Sequence, residues 1–183
     1  KGGWKKVTAP AHITKNRGAY LSKDRDAEGL MLSDSIAANI TLPSEGDIAG
    51  PLAFVSPRKK REIVEKAVEK FEIKCASPLA KVNSLSGGNK QKVNLSRWMV
   101  KDLDFIILDC PTRGVDVGVK AYIYGLLETV KKAGLAILLI SDELPEVIGM
   151  SDRLLVMKDG RISAILERDS GFAVVVIVEA LML

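Results

Sequence analysis

Leu85-Ser86-Gly87-Gly88-Asn89-Lys90-Gln91-Lys92-Val93 decides how the rest of this chain is read. It sets a hydroxyl and two residues without side chains just before a helical pattern that runs from Asn89, with Val93, Leu95 and Trp98 on one side. A helix start leaves backbone N–H groups without intrahelical partners, and glycine lets an anion approach them closely, so such a start can hold phosphate. Ser before Gly is equally the composition of an ordinary helix cap. These residues alone do not choose between the two readings.

The stretch ten residues on bears on that choice. Asp104-Phe105-Ile106-Ile107-Leu108-Asp109 is an unbroken apolar run ending in a carboxylate, and it reads as a strand buried on both faces. An acidic group at the carboxyl end of a buried parallel strand is placed to hold Mg²⁺ through water beside a nucleotide. Cys110-Pro111-Thr112-Arg113-Gly114-Val115-Asp116-Val117-Gly118 follows directly. Together, Leu-Ser-Gly-Gly-Asn and the Leu-Asp-x-Pro-Thr-Arg-Gly-Val-Asp-Val-Gly run resemble the nucleotide-binding domain of ATP-binding-cassette (ABC) transporters. Asn89 with Arg113 to Asp116 resembles the carbohydrate-importer subgroup, of the ribose, galactose and xylose type.

That resemblance implies an α/β, P-loop NTPase-like fold with a parallel-sheet core and a helical subdomain. Residues 1–30 would open the core, 31–84 would form the helical subdomain that meets the transporter, and 85–183 would complete the core. It implies ATP and Mg²⁺ as cofactors, with Ser86, Gly87, Gly88, Asn89 and Gln91 on the nucleotide, Asp109 on the metal side, and Gly114, Val115 and Asp116 facing a second nucleotide-binding domain. Membrane permease subunits are the other implied partner, and the inner face of the cell membrane, reached from the cytoplasm, is the implied location.

The chain departs from the family pattern at the positions that do chemistry. Active members carry a glutamate after the strand-ending aspartate, and here it is Cys110; a thiol ordinarily ionises at about pH 8.5 and accepts hydrogen bonds weakly, so it cannot orient water as a carboxylate does. Most members have a histidine where Asp142 stands in the switch segment Ser141 to Val147, and a carboxylate there repels a γ phosphate. The only histidine, His12, reads as a loop residue. Lys23, in the stretch Lys23-Asp24-Arg25-Asp26-Ala27-Glu28-Gly29-Leu30, falls by resemblance at the family's metal- and water-contacting Gln position, and a lysine can neither ligate a cation nor accept a hydrogen bond from water. Asp24 and Arg25 read as a charged surface loop or a structural pair.

No Gly-x-x-x-x-Gly-Lys-Ser/Thr occurs in the 183 residues, so weak or absent ATP binding by this chain alone is expected. By resemblance the residues are a C-terminal, degenerate portion of a tandem sugar-importer subunit. In the family two domains close head to tail, and the Ser-Gly-Gly of one covers the γ phosphate held by the other. With Ser86 to Gly88 intact, the expectation is a chain that completes a partner's site while its own is silent. A non-enzymatic dimerisation or regulatory module is the alternative, and a sheet with unpaired edges would favour self-association.

Composition agrees with a globular chain: 47% hydrophobic, 27% charged, net charge +4. The basic residues are scattered apart from Arg58-Lys59-Lys60-Arg61, which reads as a solvated helix start, so no nucleic-acid partner is expected. Cys75 and Cys110 lack metal-ligand spacing and fit a reducing compartment. No apolar run reaches the roughly 18 residues of a membrane span, and the first residues do not form a signal sequence.

The other elements follow from pattern: a short helix over 11–16, a strand over 19–22, a helix over 31–42 capped at Ser33 or Asp34, a loop from Pro43 to Pro57, and an amphipathic helix over 58–71. Then come a helix over 119–133 stopped by Gly134, a buried strand over 135–140, and a hairpin turning at Lys158-Asp159-Gly160. Residues 172–183 read as strand by propensity and as the closing helix by resemblance.

Overall fold

The computed structural model describes residues 6–49, 55–170 and Ile177. The expectation for 172–183 lies outside the described residues, Ile177 apart. The chain divides into two compact units, Lys1–Leu138 and Leu139–Leu183.

In the first unit, α1 (Pro10–Lys15) leads into β1 (Gly18–Leu21), and a single π turn (Arg25–Gly29) follows. His12 lies on α1 rather than in a loop, exposed, with its Nδ1 3.3 Å from the Thr8 hydroxyl. β2 (Phe105–Asp109) runs parallel to β1, Gly18 opposite Phe105 and Leu21 opposite Leu108. β3 (Ala136–Ile140) completes a three-stranded sheet in the order β1-β2-β3.

Neither apolar run is sealed on both faces. Ile106 and Leu108 are fully buried while Phe105 and Ile107 are half-buried, and β3 exposes Leu138 by 52% and Ile140 by 46%. An apolar run records only that a strand tolerates burial; which faces are covered depends on what packs against the sheet. β3 sits at the edge of the sheet order, where coverage is least.

The helices of residues 36–70 come from capping and apolar spacing, with one correction. α2 spans Ile36–Thr41 and is capped by Ser35, whose hydroxyl accepts from Ala38 N–H at 3.1 Å, rather than by Ser33 or Asp34. The stretch after it is partly helical, with a 3₁₀ turn at Leu42–Ser44 and α3 at Glu45–Ile48. α4 (Pro57–Lys70) starts with proline at its first position, as that residue's fixed φ favours. Its basic first turn is paired outward, Arg58 with Glu62 and Lys60 with Glu45. Ile36, Ile40, Val64, Ala67, Phe71, Ile73 and Val82 form one core with Leu30 and with Val93 of α5 (Gly87–Met99). α6 (Val117–Lys132) buries Ile123 and Leu127 and stops at Gly134, whose φ of 98° suits glycine alone.

The second unit carries α7 (Leu144–Met150) and a hairpin of β4 (Arg153–Lys158) and β5 (Arg161–Glu167). Asp159 and Gly160 both have positive φ, as the tightest hairpin turns require. Val147, Leu154, Val156 and Ile177 form its core.

Candidate functional site

The site is built on the first turn of α5. Ser86 caps that helix from an extended backbone, is exposed, and accepts from Asn89 N–H at 3.4 Å. The Asn89 side chain is fully engaged: its Nδ2 donates to the Ser86 hydroxyl at 3.0 Å, and its Oδ1 accepts from Lys74 N–H at 2.8 Å. Asn89 therefore holds the cap rather than reaching outward.

The two glycines are where other segments come close. A Cβ on Gly88 would lie 2.6 Å from Val119 Cγ2, and one on Gly87 would lie 3.6 Å from the Gly114 carbonyl. Residues 114–119 are thus packed against the start of α5. Gln91 makes a second fastening; it is 3% exposed, and its Nε2 donates to the Pro111 carbonyl at 2.5 Å. Asp116 caps α6 through Val119 N–H at 3.0 Å and is exposed, like Gly114, whose φ is 69°.

α5 is not amphipathic in the expected way. Gln91 to Arg97 are all buried, polar residues included. Lys92 is satisfied by the Glu72 carbonyl at 3.1 Å and lies 4.1 Å from the centre of the Tyr122 ring; Arg97 donates to the Gly29 carbonyl. Burial pulls the Arg97 guanidinium below its ordinary pKa.

At the carboxyl end of β2, Asp109 accepts from the Tyr20 hydroxyl at 3.3 Å, a pairing set by the β1–β2 register. Burial first, then the Asp109 charge, pushes the Tyr20 phenol above its ordinary pKa. Cys110 follows, 6% exposed and with a φ of 46°, a backbone that residues other than glycine adopt at a cost. Among the described residues no group of three or more metal-ligating side chains occurs. Mg²⁺ commonly takes only one or two protein carboxylates beside phosphates and water, so the lack of such a group does not bear on Asp109.

Lys23 is exposed, one residue before Asp24, which caps the π turn through Ala27 N–H at 3.0 Å. Arg25 pairs not with Asp24 but with Asp26, at 2.6 Å, and its Nη1 donates to the Gly87 carbonyl at 2.9 Å. Asp142 is exposed in the second unit, beside a turn in which the Ser141 hydroxyl accepts from Glu143 N–H at 3.0 Å. The structure thus brings together Ser86 to Gln91 with Gly114 to Asp116, and adds Arg25, read from sequence only as surface loop or as the pair of Asp24, and Asp26, while Tyr20 joins Asp109. Their only signal is charge and a hydroxyl in segments that meet through the fold.

A family model described as ABC transporter matches residues 6–113. The chain belongs to the ABC transporter family. Among relatives, it is 41% identical over 90% of its length to the ribose import ATP-binding protein RbsA of Geobacillus kaustophilus, and covers 33% of that protein. It is 45% identical over 82% of its length to the L-arabinose transport ATP-binding protein AraG of Geobacillus stearothermophilus, covering 29% of it. The chain therefore spans about a third of the length of the curated relatives it matches. Among solved structures, the dimeric ATP-binding cassette MJ0796 in a post-hydrolysis state with ADP and Pi superposes with a TM-score of 0.72. The match covers 86% of this chain and 65% of that one at 19% identity, which speaks to the fold. The sequence-based fold class, an ABC-type α/β core, is borne out. Among the described residues, no helix of this ABC chain is long and apolar enough to cross a membrane.

Proposed function

We propose that this chain is part of the ATP-binding component of an ABC sugar importer, and that it completes an ATP site held by a second nucleotide-binding domain. The observation that carries this reading is the exposed Ser86 cap followed by Gly87 and Gly88 on a 13-residue helix. A hydroxyl, free first-turn N–H groups and the positive end of the helix dipole together suit a phosphate presented from outside. The neighbouring Gly114 to Asp116 loop would face the same partner.

The chain's own half would be silent. Cys110 offers no carboxylate to orient water, Lys23 cannot ligate Mg²⁺, and by resemblance the switch segment carries a carboxylate, Asp142, where most members have a histidine. Losing one such acid–base group typically costs about 10²- to 10⁴-fold in rate. Asp109 would stand on the metal side of any nucleotide bound here, where Mg²⁺ would offset phosphate charge. Residues 31–84 would form the helical subdomain that meets a membrane permease from the cytoplasmic side, and the imported cargo would be a sugar, as the relatives' names indicate.

The test uses the ribose import ATP-binding protein RbsA of Bacillus subtilis, 41% identical to this chain, as the partner. ATP turnover by the mixture is expected to exceed the sum of the separate proteins with the wild-type chain and not with Ser86→Arg. Equal rates with both would remove the completing role and leave a dimerisation or regulatory module.

A further inference from the structure

Arg25 and Gly87 are 62 residues apart in the chain and 2.9 Å apart in space. Resting on the reading that the start of α5 faces a partner's phosphate, we infer that Arg25 is a positioning residue for that surface. By gripping the Gly87 carbonyl it fixes the direction in which the Gly88 N–H points.

The link is covalent geometry. The Gly87 carbonyl and the Gly88 N–H belong to one planar peptide unit, trans like every described peptide here, so they point in opposite directions. Whatever holds the oxygen aims the hydrogen. Two glycines are needed for close approach of an anion, but they are also the residues that least restrain their own backbone. Gly87 and Gly88 already lie in the first turn of α5, and Arg25 adds a second restraint, from outside the helix, on the peptide between them. Donation from a charged guanidinium to the carbonyl also polarises the amide and strengthens its N–H as a donor.

Arg25 is itself held in place. Its Nε pairs with Asp26 at 2.6 Å, and the other Asp26 oxygen meets Lys90 Nζ at 3.1 Å. Gly87 and Lys90 are three residues apart, on one face of the first turn of α5, so the π turn is fastened to that turn at two points. Arg25 and Lys90 are offset there by Asp26 and by Asp116, whose Oδ2 would lie 3.7 Å from a Cβ on Gly88, so attraction for an anion rests on the backbone N–H groups and the helix dipole. The Arg25 and Lys90 side chains are only 18% and 15% exposed, which limits screening. The Asp26 carboxyl is held below its usual range, the Arg25 hydrogen bond being the main cause.

The experiment uses the full chain with Arg25→Met, Arg25→Lys and Ser86→Arg. The first readout, without any ligand, is the carbonyl ¹³C shift of Gly87 and the amide ¹H and ¹⁵N shifts of Gly88. The second is the apparent affinity with which each variant raises ATP turnover by Bacillus subtilis RbsA. Arg25→Met is expected to move the Gly87 and Gly88 resonances and to weaken that affinity roughly tenfold, the equivalent of one charge-assisted hydrogen bond. Arg25→Lys should recover part of both at an unchanged melting temperature. Unmoved Gly87 and Gly88 resonances in Arg25→Met would overturn the inference, as would moved resonances with wild-type stimulation while Ser86→Arg abolishes it. If the wild-type chain gives no stimulation, the reading under Proposed function fails and the positioning role falls with it.

Discussion

Gly88→Ala should reverse its sign according to what stands at residue 119. In the wild-type chain an added Cβ would sit 2.6 Å from Val119 Cγ2, about 1 Å inside a normal carbon–carbon contact of roughly 3.5–4.0 Å. Val119 is β-branched and lies in the first turn of α6, so the methyl has little freedom to swing aside. Overpacking of this kind costs about 1–3 kcal/mol, against a helix-propensity gain for Ala over Gly of up to about 1 kcal/mol. The expected net loss is about 1–2 kcal/mol, or roughly 2–8 °C in Tm for a chain of this size. Val119→Ala deletes the offending methyl and leaves the next contacts at 3.6 and 3.7 Å, which are ordinary. In that background Gly88→Ala should be neutral or mildly stabilising, giving a coupling of about 1–3 kcal/mol in a double-mutant cycle. Urea unfolding followed by circular dichroism on the four proteins measures it. Stabilisation by Gly88→Ala alone, or additivity of the two changes, would refute the packing of residues 114–119 against α5.

Ser86→Ala should lose about 0.5–2 kcal/mol of stability through the missing cap, whereas Ser86→Asp keeps the cap yet should abolish stimulation of a partner's ATP turnover by charge repulsion; a stable Ser86→Asp that still stimulates would contradict the site. The Tyr20 phenol should ionise above pH 10, followed by ultraviolet absorbance against a Tyr20→Phe control, and Asp109→Asn should bring it down by removing the second cause of its shift. Because the folded-state value is raised, the stability this group contributes is fully present below pH 10 and is lost as pH rises through the folded value. Under native conditions a thiol reagent should modify half-buried Cys75 well before buried Cys110, which waits for local opening; equal rates would contradict the burial of Cys110.

What the sequence made legible is what local chemistry determines. Ser86 as a cap, the helix after it, the β2 run ending at Asp109, the Gly134 stop and the Asp159-Gly160 turn are each written in adjacent residues. The start of α2 was not, because Ser33, Asp34 and Ser35 are all competent caps. The choice of Ser35 comes with the backbone bond from Ile36 N–H to the Ala80 carbonyl and the bridge from Ser35 to Lys81, which lie far along the chain. The burial of polar residues on α5 was not legible for the same reason. Lys92 and Arg97 are buried against the Glu72 and Gly29 carbonyls, partners supplied by tertiary structure. Arg25 reads locally as one charge in an alternating loop; only the folded chain reveals that its target is a glycine carbonyl in the signature stretch.

The central claim is that the first turn of α5 receives a phosphate carried by another ATP-binding domain. Its most direct measurement is the amide resonances of Gly87, Gly88 and Asn89 in the isotopically labelled full chain, recorded with MgATP alone and with MgATP plus unlabelled Bacillus subtilis RbsA. The account predicts that these three amides shift only when both nucleotide and partner are present. Shifts with MgATP alone, or none with the partner, would contradict it.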